Sequence, residues 1–98
     1  MKKPCWWLTV LALALAGCHP SASGDTGFDQ QWKAQYPDTN LELARAHAKD
    51  VCAAYQSGTT YRNELDFIMM TDGRPYKEAR AMIIAATANY CPQYKHLR

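Results

Sequence analysis

The sequence predicts an all-α fold: a small bundle of about four short helices with one disulfide, behind an N-terminal signal peptide. Three observations carry that expectation. Apolar residues recur at steps of three and four between proline and glycine breaks. No segment alternates apolar with polar residues over strand length, and two cysteines remain once the N-terminal pair is accounted for. Neither an Asn-Gly hairpin signal nor an internal repeat competes with this pattern.

Taking the elements in order, Phe28, Trp32 and Tyr36 are spaced by four, and Thr26 with Asp29 approximates a capping box. A short first helix is expected there, stopped by Pro37. Thr39 and Glu42 make a better capping box for a second helix, which runs to about Ser57 and is closed by Gly58. Its stripe is Leu41, Ala44, Ala48, Val51, Cys52 and Tyr55, so Cys52 points inward. Thr59 or Thr60 caps a third helix with Tyr61, Leu65, Ile68 and Met69 on one face, and Asp72-Gly73-Arg74-Pro75 turns the chain. Pro75 suits the first position of a last helix, lined by Ala79, Met82, Ile83, Ala86 and Tyr90 and ended by Pro92. Lys95, His96 and Arg98 then form a small basic tail, expected as a solvated terminus.

Upstream, Lys2 and Lys3 precede an uncharged run over residues 5–17. That length suits a secretory h-region and falls short of the ~20 residues needed to span a bilayer. The run ends in Leu15-Ala16-Gly17-Cys18, which resembles the lipobox of bacterial lipoproteins. The resemblance implies cleavage before Cys18 and a diacylglyceryl group on its thiol, with a second acyl chain making attachment stable. Residues 1–17 are then the signal peptide. Residues 18–27 are the lipidated cysteine and a Ser-, Gly- and Pro-rich tether reaching about 30 Å at ~3.3 Å per residue. Residues 28–98 are the helical domain. The expected address is the cell envelope, on the extracytoplasmic side of the membrane.

Loss of the signal removes two of the 11 basic residues and leaves nine facing nine acidic ones. A near-neutral domain without a basic stripe has no electrostatic reason to seek nucleic acid. Of the four cysteines, Cys5 leaves with the signal and Cys18 is taken by lipid, so Cys52 and Cys91 are expected to pair in an oxidising compartment. Such a bridge closes a loop of about 40 residues and is worth on the order of 4 kcal/mol in the chain-entropy model.

Val51-Cys52, Gly58 six residues on, and an Ala-rich helix ending in Tyr90-Cys91-Pro92 together resemble the actinobacterial family known as domain of unknown function 732, over roughly residues 28–93. Members are small exported or lipid-anchored helical proteins of mycobacteria and their phages. The resemblance implies a helix-to-helix disulfide and brings no activity with it. Tyr36-Pro37-Asp38 departs from the usual pattern, in which glycine and an aliphatic residue follow the first helix.

Little in the chain points to chemistry. His47, Cys52, Cys91 and His96 are suitable zinc ligands by type, but five positions on a helix rotate His47 about 140° from Cys52, and Pro92 separates Cys91 from His96. No metal site or cofactor is expected. Met69, Met70 and Met82 read as core filler rather than copper ligands, with Met70 off its stripe. Asp66 with Asp72, and Asp50 with Glu42, read as surface acids. No nucleophile motif or phosphate-binding glycine loop is present, and no enzyme is expected. Trp32, Tyr36, Tyr55, Tyr61, Tyr76, Tyr90 and Tyr94 are bulky rings suited to a core or to an interface. The expected function is a non-catalytic, membrane-anchored module that binds an envelope or phage protein. Two alternatives are a phage or prophage exclusion lipoprotein, and a carrier of a small apolar ligand lodged among Leu65, Ile68, Met82 and Ile83.

Overall fold

Capping and turn residues set where each helix begins. The computed structural model describes the backbone of residues 20–98 and the side chains of residues 24–98; the expected signal peptide and Cys18 lie outside the described residues. The chain forms α1 (Pro20–Gln35), α2 (Leu41–Gln56), α3 (Tyr61–Thr71) and α4 (Tyr76–Asn89), followed by a 3-10 helix (Pro92–Leu97). Asn40, rather than Thr39, caps α2, its side-chain oxygen accepting the Leu43 amide at 3.1 Å. Thr39 is engaged elsewhere: its hydroxyl accepts the indole N–H of the buried Trp32 at 3.0 Å. Thr60 caps α3 through the Asn63 amide at 3.1 Å, and Pro75 stands one residue ahead of α4 as its cap. Gly58 (φ 99°) and Gly73 (φ 71°) reverse the chain in the left-handed region, where a β-carbon is costly.

The first helix starts earlier than its apolar spacing suggests. Residues expected as a tether are helical from Pro20, and Thr26 lies inside the helix rather than at its cap. The reason is close packing. Gly24 is buried, and a β-carbon there would sit 3.5 Å from the Tyr90 ring. A β-carbon on Gly27 would overlap Asn89 Oδ1, whose amide nitrogen donates to Gln31 Oε1 and to the Ala85 carbonyl, each at 2.9 Å. Asp25 accepts the Tyr90 hydroxyl at 2.5 Å, and Asp29 pairs with Arg45 of α2 through bonds of 2.6 and 2.9 Å. Glycines that read as linker thus let α1 lie against α4.

Among the described residues, α4 touches every other helix and the 3-10 helix. Its composition permits this, because Ala79, Ala85 and Ala86 are fully buried and allow close approach on several sides. The buried surface of α4 is therefore wider than the single stripe expected, taking in Ala85 and Thr87. The Thr87 hydroxyl is satisfied by donating to the Ile83 carbonyl at 2.8 Å. Phe28, Trp32, Val51, Ile68, Met82 and Ile83 fill the centre. The C-terminus also departs from expectation: it winds into the 3-10 helix, Tyr94 stacks on Tyr55 at 5.7 Å, and Arg98 Nη1 donates to the Ile84 carbonyl at 3.3 Å.

Candidate functional site

Cys52 and Cys91 are joined, with Cα atoms 5.8 Å apart across a sequence separation of 39. The bridge ties the middle of α2 to the residue that follows α4, and Cys91 is buried. Cys18, the expected lipidation residue, lies outside the described residues. Of the remaining candidates, Met82 is wholly buried and Met70 is 82% exposed. Leu65, Ile68, Met82 and Ile83 are core residues. His96 is exposed on the 3-10 helix. His47 is half-buried, with Nδ1 accepting from Arg74 Nη2 at 2.9 Å and lying 3.5 Å from Asp72 Oδ2. Among the described residues, no three His, Cys, Asp or Glu side chains are grouped to hold a metal ion.

Arg74 organises that polar cluster. It bonds Glu78 one turn into α4, donates to His47 on α2 and places its guanidinium 5.5 Å over the Trp32 ring of α1. Three helices are thereby held at the 72–75 turn. Arg74 Nε is buried without a hydrogen-bond partner, and the cluster, which ties three helices together, reads as structural.

A different residue stands out. Glu64 is 4% exposed and has no hydrogen-bond or ion-pair partner among the described residues. Burial, and then the charges of Asp72 and Asp50, push its carboxyl up to about 7. It lies in an open groove of about 560 Å³, lined by Asp50, Ala53 and Ala54 of α2, by Asn63 and Phe67 of α3, and by Ser57 and Thr59 of the connection between them. Both helices rest on α4. Close by, the Tyr55 hydroxyl is buried without a partner. Its ionisation is pushed upward first by burial, then by Glu64 and Tyr61. Sequence reasoning did not single out Glu64, although the signal was present: 61, 64, 65 and 68 form one helical face on which it is the only charged member.

The sequence model of the family described as "Protein of unknown function (DUF732)" matches residues 24–93. The chain belongs to that family. The DUF732 match starts at Gly24, inside α1 and four residues ahead of the expected domain start, where α1 already packs on Tyr90. It ends two residues past Cys91, so it takes in α1 from Gly24, the whole of α2, α3 and α4, and both halves of the disulfide. No curated protein and no solved structure matches the chain.

Proposed function

We propose that this DUF732 protein is a non-catalytic lipoprotein of the cell envelope, anchored through acylated Cys18, whose helical domain binds another envelope protein. The joined Cys52 and Cys91 are the observation that supports it most, because structural disulfides belong to oxidising compartments outside the cytosol. The Leu15-Ala16-Gly17-Cys18 motif after an h-region supplies the route and the anchor. No helix among the described residues is long and apolar enough to cross a membrane. A binding role accords with Leu43, Phe67, Met70 and Tyr76, large apolar side chains at least half exposed. Ser57 and Thr59 at the groove have no histidine in its lining to activate them.

Labelled palmitate and detergent phase partition test the anchor. Wild type carries the label and enters the detergent phase, whereas Cys18→Ala does neither. Identical behaviour of the two proteins overturns the lipoprotein reading.

A further inference from the structure

We infer that the groove between α2 and α3 receives a lysine or arginine side chain presented by a protein partner, with Glu64 as its counter-charge. The inference rests on reading the chain as a binding module and names the chemistry that the module recognises.

The argument begins with pairing. A buried charge is costly unless it is matched by a charge of opposite sign. Arg74 has Glu78, and Asp29 has Arg45. Glu64 is covered more completely than any of these as a residue and has none, while its carboxyl oxygens keep some contact with solvent. Its surroundings make a cationic partner the complement. The groove lining includes Asp50 from α2 and no lysine or arginine, and the charges that act on Glu64 are those of Asp50 and Asp72, both negative. Arg98, just past the 3-10 helix, acts on Tyr55 and lines a separate hollow with Tyr61, Arg80 and Ile84.

Shape agrees with charge. Ala53, Ala54 and Ser57 keep the α2 wall low, which leaves room for an incoming side chain above Glu64. Phe67, 53% exposed at the rim, offers a ring against which an aliphatic stem packs and over which a cation is attracted. Asn63 and Thr59 add polar atoms for an ammonium or guanidinium.

Two further observations favour a protein over a free cation. Hard divalent cations need several converging oxygen ligands, and no such group of side chains exists among the described residues. Met70 stands one turn beyond Phe67 on α3 and is 82% exposed, extending the apolar rim past the groove. A cationic anchor within an apolar surround is the arrangement of protein interfaces, in which arginine and aromatic residues are enriched.

Titration of the full-length, oxidised protein in non-ionic micelles with capped tripeptides, followed by amide NMR shifts, tests this. The probes are acetyl-Leu-Arg-Leu-amide, the lysine equivalent, and uncharged counterparts carrying citrulline or norleucine. We expect the cationic peptides to shift Asp50, Asn63, Glu64 and Phe67, with the uncharged ones at least tenfold weaker. Glu64→Gln, which keeps the shape and removes the charge, should lower affinity for the arginine peptide at least tenfold. Equal response to arginine and citrulline, shifts confined to another surface, or undiminished binding by Glu64→Gln would each overturn the inference. So would absence of any response at millimolar peptide, or stronger groove shifts from Ca2+ or spermidine than from the peptides. Because no arm of the titration depends on acylation, failure of the groove and failure of the lipid anchor are separately visible.

Discussion

Glu64 gives the molecule a pH dependence opposite in sign to that of an ordinary paired carboxylate. Burial, with Asp72 and Asp50 nearby, raises its folded pKa to about 7 from 4.5. Below about pH 4.5 it is protonated in both the folded and unfolded chain and has no effect. Between about 4.5 and 7 the unfolded chain ionises first, so folding stability falls as pH rises, and above 7 the penalty is complete. Asp29 acts the other way: its bond to Arg45 holds its pKa below the usual value, and the stability it contributes is lost on acidification. Glu64→Gln should therefore leave the melting temperature near wild type at pH 4.5 and raise it at pH 8, where the gain in stability is at most on the order of 3 kcal/mol. Thermal unfolding at the two pH values decides, and equal shifts at both would place the cause in packing rather than charge. At this scale the sequence was partly legible. Glu64 sits on the stripe of Tyr61, Leu65 and Ile68, so its burial was readable. The role of Thr39 was not. Its spacing to Glu42 imitates a capping box, and only the fold reveals Asn40 as the cap and the Trp32 indole as Thr39's partner.

Helix boundaries were legible wherever a local signal marks them. Pro37, Gly58, Gly73 and Pro75 punctuate the chain as their backbone preferences require, and the apolar spacing of α2 and α3 reports the faces that are buried. The start of α1 was hidden because glycine serves two purposes with one composition. In a tether it loosens the chain; at Gly24 and Gly27 it lets two helices approach, and nothing in the local sequence distinguishes these. The two positions predict contrasting outcomes. Gly24→Ala meets only ordinary van der Waals contact with Tyr90 and improves helix propensity, so stability should hold or rise by up to about 1 kcal/mol. Gly27→Ala drives its methyl into Asn89, whose amide is fixed by Gln31 and Ala85, and should destabilise despite the same gain in propensity. Urea denaturation of both variants separates these outcomes; a stabilised Gly27→Ala would show that the α1–α4 contact is looser than described.

For the molecule as a whole, the disulfide compensates for a core rich in alanine. Ala44, Ala48, Ala79, Ala85 and Ala86 are fully buried, and each removes far less apolar surface from water than a leucine in its place. The Cys52–Cys91 bridge closes 39 residues of sequence and holds α2 to the end of α4. Replacing both cysteines by alanine should cost about 4 kcal/mol, a large share of the net stability of so small a domain. Unfolding by urea with and without reductant measures it, and a loss below about 1 kcal/mol would mean that the core suffices alone. The all-helical topology and the cysteine pairing were both readable from sequence, since periodicity and cysteine arithmetic are global signals. The central place of α4 was less so. Its alanines look like propensity until the fold shows neighbours on several sides.

With α1 beginning at Pro20, a single amino acid separates Cys18 from a helix about 24 Å long. That helix packs on α4 from Gly24 onward, so on the lipoprotein reading the folded domain begins within a few residues of the acyl chains instead of at the end of a nine-residue leash. A partner would then be met close to the membrane face, by lateral diffusion in its plane.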